Sequence, residues 1–218
     1  MSLAPQLADG LAVLGLAIPQ STQDRLLQYL ALVQKWNRVH NLTSVRQPET
    51  MVARHLLDSL AGLPHIAGPR VADVGSGAGL PGIPLALARP DWHVTLIESN
   101  HKKAVFLQQA RIELELQNVE VMVERVENIA CKGAFDTVIS RAFSDLSDFA
   151  KLAGCLCAEC SGKGVGGGQL VAMKGVYPHE ELAQLPAEYV AEKIIPVQVP
   201  GLKGARHLVI MKRAQTAV

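Results

Sequence analysis

Three glycines crowd into Gly75-Ser76-Gly77-Ala78-Gly79, directly after a short apolar run, and an acid, Glu98, ends the next such run. Without Cβ atoms the backbone can turn tightly there and come close to a ligand. An acid about twenty residues beyond the glycines can accept hydrogen bonds from both hydroxyls of a ribose, so the pattern reads as a seat for an adenosine-bearing cofactor. Asp73 adds a carboxylate suited to a cationic amino-acid tail, reached directly or through water. The spacing Gly77-x-Gly79-x-x-Gly82 also fits a dinucleotide fingerprint. Proline weighs against that reading: a diphosphate needs N–H donors where the helix begins, and Pro81 and Pro84 lack theirs. A cofactor with no phosphate, S-adenosylmethionine, is favoured over a nicotinamide dinucleotide, and methyl transfer over hydride transfer.

Such a turn needs a strand before it and a helix after it. From about residue 70, short β-type runs alternate with helical patterns, as in βαβ units with right-handed crossovers. Strands are expected at Arg70 to Val74, His93 to Glu98, Val119 to Val123, Phe135 to Ser140, Gln169 to Met173, Lys193 to Val199 and His207 to Lys212. Pro200-Gly201-Leu202-Lys203-Gly204 leaves no room for a crossover helix, so the last two strands should form an antiparallel pair at one end of the sheet. Residues 1–66 read as a helical extension and 67–218 as the α/β domain. A weak helix is expected near Gln6 to Leu14. A stronger one is opened by Ser21 with Asp24 as a box-like cap, and carries a stripe of Leu26, Tyr29, Leu30, Val33 and Trp36. A third starts near Pro48 and passes Val52, Leu56 and Leu60 before Gly62 and Pro64 stop it.

With 218 residues and 49% hydrophobic content the chain can bury a full core, and a net charge of +1 excludes a chain that is basic throughout. Any nucleic-acid contact must use local patches. The N-terminus lacks the basic start of a secretion signal, and Leu11 to Ile18 is too short to span a bilayer, so a cytoplasmic protein with no membrane contact is expected. Cys131, Cys155, Cys157 and Cys160 do not form the dispersed framework of a secreted disulfide fold. A zinc site at Cys155, Cys157 and Cys160 lacks a second ligand pair, so reduced thiols and no metal are expected. The glycine-rich run 161–168 is not a Walker loop, because Gly164 rather than Ser or Thr follows Lys163.

Several segments resemble the RsmG (GidB) family: Trp36-Asn37-Arg38-Val39-His40-Asn41-Leu42-Thr43, Arg54-His55-Leu56-Leu57-Asp58-Ser59, and Asp73 through Pro84. Ser140-Arg141-Ala142-Phe143, Lys174-Gly175 and Arg206-His207-Leu208-Val209 extend the resemblance over nearly the whole chain. It implies a Rossmann-like class I methyltransferase fold, with a seven-stranded, mostly parallel sheet, an antiparallel C-terminal strand and an N-terminal helical extension. It also implies methylation of guanine N7 at conventional position 527 of bacterial 16S ribosomal RNA, on the RNA or the small subunit; no obligate protein partner is expected. By the same resemblance Gly75 and Leu80 line the cofactor, Val126 and Glu127 lie beside the adenine, and Arg141 faces the site. Asp73, Gly77, Gly79 and Glu98 complete the cofactor set from the residue reading.

RNA contacts are expected from Arg38, His40, Arg46, Arg54, His55, Lys102, Lys103, Arg141, Lys174, Arg206 and His207. Elsewhere each is an ordinary surface charge, or a histidine that satisfies a buried backbone group. Guanine N7 already exposes a lone pair, so no catalytic base is nominated. Methyl transfer to protein or a small molecule, a nicotinamide-dependent oxidoreductase and a cofactor-sensing module are the competing readings.

Overall fold

The computed structural model describes residues 2–130, 133–141, 143, 145–158 and 167–214. Seven runs form strands: β1 (Arg70–Val74), β2 (His93–Ile97), β3 (Val119–Met122), β4 (Thr137–Ser140), β5 (Gln169–Lys174), β6 (Tyr189–Pro196) and β7 (His207–Arg213). They lie in one sheet in the order β3-β2-β1-β4-β5-β7-β6. β1 to β5 pair in parallel, and β7 runs antiparallel to β5 and β6. From β1 the chain winds outward through β2 and β3, then returns to lay β4 on the other side. That reversal opens a crevice beyond the carboxyl ends of β1 and β4, where open α/β sheets bind ligands.

The strand count and the antiparallel ending agree with the sequence pattern, while several boundaries differ. β6 starts at Tyr189, earlier than expected, because a bulge between Ala191 and Lys193 breaks the period of two. β2 stops at Ile97, which leaves Glu98 just outside the strand. Phe135 bridges Cys157 instead of joining β4. Cys160, Cys131 and residues 161–166 of the glycine-rich run lie outside the described residues.

Strand residues alternate between two cores. Val71, Val94, Leu96, Ile139, Val171, Leu208 and Ile210 point to one face, while Ala72, Val74, Ile97, Val138, Leu170, Ala172, Val209 and Met211 point to the other. The first face is covered by α1 (Leu3–Val13), α2 (Gln20–His40), α3, α4 (Gly82–Ala88) and α5 (His101–Glu113). Here α3 is one continuous helix in three parts: α-helical Pro48–Met51, π-helical Val52–Leu57 and α-helical Asp58–Leu60. The second face is covered by α6 (Leu146–Ala153) and flanked by α7 (His179–Ala183).

The expected stripe on α2 is buried at Leu26, Tyr29, Leu30 and Val33. Its start corrects the expectation of a Ser21–Asp24 cap. Pro19 is the flanking residue, no side chain caps the helix, and Gln20 Nε2 donates to Asp24 Oδ1 at 3.0 Å. Proline already sets the chain's entry angle, so Ser21 falls inside the first turn. At the other end Asn41 adopts a left-handed conformation with φ 49° and closes the helix.

Tyr29 is fully buried, and its hydroxyl donates to the carbonyl of Ala78 at 2.6 Å, tying α2 to the glycine turn. Tyr29→Phe leaves that carbonyl without its partner in the core and is expected to destabilise the protein by about 1–3 kcal/mol. The check is the urea midpoint, which should fall with an unchanged slope; a midpoint equal to wild type would mean the bond contributes nothing.

Candidate functional site

The glycine turn satisfies its own backbone. Gly75 N and Ser76 N donate to Ile97 O, Gly79 N and Leu80 N to Ser76 O, and Ile83 N to Gly79 O. Gly77 N donates to Glu98 Oε2 and Gly82 N to Asp73 Oδ2, both at 2.8 Å. Gly75, Gly77 and Gly79 all have positive φ (71°, 58° and 82°), which side chains with a Cβ rarely adopt. A Cβ on Gly82 would collide with Leu96 and with the Asp73 carboxylate, so closeness rather than φ demands glycine there.

A cleft of about 350 Å³ opens beside this turn, lined by Val74, Gly75, Ile97, Ser99, Glu124, Arg125, Val126, Glu127, Phe143 and Leu152. The structure thus brings together Gly75, Val126 and Glu127 from the expected cofactor set. Gly77 and Glu98 stand just behind, with Glu98 Oε1 also accepting from Asn100 N at 2.8 Å. Gly79 and Leu80 are buried and shape the turn from within. Asp73 is fully buried, and its Oδ1 has no partner among the described residues. Burial pushes its carboxyl up to about 7, against the pull of the Gly82 N–H and the Arg141 guanidinium, while Glu98 adds to the rise.

This chemistry suits a cationic nucleoside and not a diphosphate. The turn's N–H groups at Gly75, Ser76, Gly77, Gly79, Leu80, Gly82 and Ile83 already have acceptors, and Pro81 has none to offer. The cleft also carries two carboxylates, Glu124 and Glu127, against one guanidinium, Arg125, so its charge balance disfavours a dianion. A positive sulfur and an ammonium group would meet Glu124 and Glu127 on the cleft wall, with Glu98 and the buried Asp73 behind the turn.

A second cleft, of about 360 Å³, is lined by Thr43, Ser44, Val45, Arg54, His55, Asp58, Arg141, Met173, Lys174, Gly175 and Arg206. Phe143 lines the first and Arg141 the second, and Lys174 of the second reaches Phe143 O at 3.2 Å, so the two clefts are neighbours. Arg141 is turned toward α3: its Nη1 donates to Arg54 O at 3.1 Å and to Asp58 Oδ2 at 3.3 Å. Arg206 Nε donates to Asp58 Oδ1 at 2.9 Å. Lys174 pairs with Glu181 at 2.6 Å and reaches Phe143 O at 3.2 Å.

His55 is buried in the π-helical turn, with Nε2 at 3.1 Å from Thr43 Oγ1. Burial and then the nearby Arg141 push its imidazole down to about 4, which keeps it neutral. The Thr43 loop is held in turn by the buried Asn37, whose Oδ1 accepts from Thr43 N at 2.8 Å.

The other expected RNA residues are not among those lining either cleft. Arg38 and Arg46 are exposed, and His40 stacks on Trp36 with centroids 5.1 Å apart. Lys102 and Lys103 lie in the first turn of α5, where Asn100 Oδ1 caps their backbone N–H groups. His207 neighbours Arg206 and packs edge-on to Tyr177.

The sequence pattern gives Asp58, Asn37 and Tyr29 no role in the site, although an acid at Asp58 beside so many basic candidates was an available signal. Cys155 and Cys157 are free, and burial pushes the Cys157 thiol up to about 12, leaving it a poor thiolate source. Among the described residues no group of His, Cys, Asp and Glu could hold a metal ion, and no helix is long and apolar enough to cross a membrane.

The GidB family model, described as rRNA small subunit methyltransferase G, matches residues 22–209. The chain is 68% identical over 214 residues to the ribosomal RNA small subunit methyltransferase G of Nitrosospira multiformis, covering 98% of this chain and 99% of that protein. It is 56% identical over 214 residues to the protein of the same name from Nitrosomonas eutropha, covering 97% and 98%. Among solved structures, a SAM dependent methyltransferase from Aquifex aeolicus superposes with a TM-score of 0.53 at 17% identity, over 85% of this chain and 97% of that one. That likeness shows a shared fold.

The buried Asp73 has a direct consequence for stability. An acid whose folded pKa is raised from 3.8 to about 7 is harder to ionise in the folded chain, so its contribution to stability is lost as pH rises through that window. Asp73→Asn removes the group. The stability difference between variant and wild type should move in the variant's favour between about pH 4 and about pH 8, measured by urea unfolding; a difference flat in pH would contradict this reading.

Proposed function

Because the chain belongs to the GidB family, rRNA small subunit methyltransferase G, we propose that it methylates N7 of a guanine in small-subunit ribosomal RNA, at conventional position 527 of 16S RNA. The methyl donor is S-adenosylmethionine, which when bound supplies an electrophilic methyl group on a positive sulfur. The observation that carries the reading is adjacency: an acidic, nucleoside-sized cleft and an arginine-lined cleft are neighbours, linked where Lys174 of the second reaches Phe143 of the first. Transfer between two substrates needs them held against each other.

Gly75, Val126 and Glu127 line the donor's cleft, and Glu98 keeps acceptor capacity for ribose hydroxyls beyond its two backbone bonds. Asp73 offers a carboxylate oxygen to the amino-acid tail. Arg54, Arg141 and Arg206 face the RNA, whose phosphates they attract in a salt-dependent way. No side chain is required as a base, since N7 attacks with a lone pair that carries no proton. The protein's work is alignment and exclusion of water.

This reading fits better than transfer to a small molecule, which has no need of several guanidinium groups around its entrance. It also fits better than hydride transfer, since the turn has few N–H donors for a diphosphate.

Two measurements test it. S-adenosylhomocysteine at about a hundred times its Kd should raise stability by about 2.7 kcal/mol, and NAD should leave the melting temperature unchanged. Tritium from labelled S-adenosylmethionine should enter ribosomal RNA of small subunits from cells lacking the protein, and map to one N7-methylated guanine. Label in protein or at another base atom would refute the proposal.

A further inference from the structure

We propose that Arg141 and Arg206 form a seat for one phosphodiester group of the RNA, and that Asp58 is the positioning residue that sets it. The inference rests on the RNA methylation proposed above and assigns Arg141 to the RNA cleft.

Asp58 is buried, with 6% of its surface exposed, and each of its oxygens is taken by a different arginine. The three residues come from α3, the residue after β4 and the residue before β7, so the contact exists only in the folded chain. One guanidinium would suffice to compensate one buried carboxylate. The second is surplus positive charge, and both arginine side chains keep 28% of their surface exposed while lining the second cleft.

The fixed bonds leave donors over. Arg141 uses Nη1 for Asp58 and Arg54 O, and Arg206 uses Nε for Asp58 and Nη1 for Ala205 O. Nε and Nη2 of Arg141 and Nη2 of Arg206 have no partner among the described residues. Two planar guanidinium groups braced on one carboxylate lose little freedom on binding, and their remaining N–H groups match a tetrahedral anion with several acceptor oxygens. Helix geometry accounts for the placement: Arg54 and Asp58 are four residues apart and His55 and Asp58 three, so all three share one face of α3 and line the same cleft. Lys174 is a weaker anchor, being already paired with Glu181.

Positioning and plain electrostatics make opposite predictions for Asp58→Asn. Removing a negative charge beside the cleft should tighten RNA binding if charge alone matters. If Asp58 sets the arginines, an amide with one acceptor oxygen lets one of them swing away. The KM for unmethylated small subunits should then rise about tenfold although the protein has become more positive, with little change in kcat. Affinity for S-adenosylhomocysteine should be unchanged, which also reports that the variant is folded.

Arg206→Gln should make the slope of log affinity against log salt shallower by about one, and adding Asp58→Asn to it should cost little more. An Asp58→Asn protein that binds subunits as tightly as wild type, or more tightly, overturns the seat. Should that variant not fold, unchanged salt slopes in Arg141→Gln and Arg206→Gln overturn it. A wild-type protein that does not methylate ribosomal RNA overturns the function itself, whereas active wild type with a tight-binding Asp58→Asn rejects the seat alone.

Discussion

The site depends on a backbone turn that is locked before any ligand arrives. Three side chains pin it from three directions: Glu98 takes Gly77 N, Asp73 takes Gly82 N, and the Tyr29 hydroxyl reaches Ala78 O. They come from the residue just after β2, from β1 and from α2, so the turn's rigidity depends on the sheet and the N-terminal helix being packed together. This gives the helices of the first third a structural part in the site that their sequence distance conceals. It also explains why an acid is tolerated in full burial. Asp73 caps the first turn of α4, and a neutral side chain of the same shape would hold Gly82 less strongly.

A second constraint works in the neighbouring cleft. Asp58 in α3 gathers Arg141 and Arg206, and Asn37 and Thr43 hold the loop that packs on His55. Arg141 acts in both directions: burial raises the pKa of Asp73 and Tyr29 and lowers that of His55, and the Arg141 charge pulls against the first two rises and adds to the third shift. The two clefts are therefore electrostatically joined through one residue. The fold achieves this by placing β4 next to β1, the one junction in the sheet where connections leave in opposite directions.

Much of this was legible because it is local. The glycine turn, Glu98 and the alternating strands follow from residue type and spacing, and β1 begins and ends where its apolar run does. What escaped is tertiary. The bulge in β6 hides its first residues, since a single extra residue flips the alternation that marks a strand. The π-helical turn in α3 leaves the hydrophobic repeat of Val52, Leu56 and Leu60 intact, so nothing in the spacing betrays it. Arg141 was expected, by resemblance, to face the site and was counted among the RNA candidates too. It bonds to Asp58, a partner 83 residues earlier that no periodicity could nominate. Basic residues such as Arg38, Lys102 and Lys103 have the same chemistry as Arg206, and only the third dimension separates those that line a cleft from those that do not.

The charge arrangement poses a problem that the phosphate seat resolves. Methyl transfer to N7 moves positive charge from sulfur to the base, away from Asp73, Glu98, Glu124 and Glu127 and toward Arg54, Arg141 and Arg206. Against bare guanidinium groups that movement runs uphill. A phosphodiester seated on Arg141 and Arg206 neutralises the field the new cation would meet, in a partly dry cleft where such interactions are stronger than in water. The seat must therefore be filled before methyl transfer, so a looser seat is felt in the concentration of RNA required and not in the rate once the RNA is bound. On this argument a chain of nearly zero net charge can act on a polyanion: it concentrates a few arginines where the charge must arrive, and leaves the rest of its surface balanced.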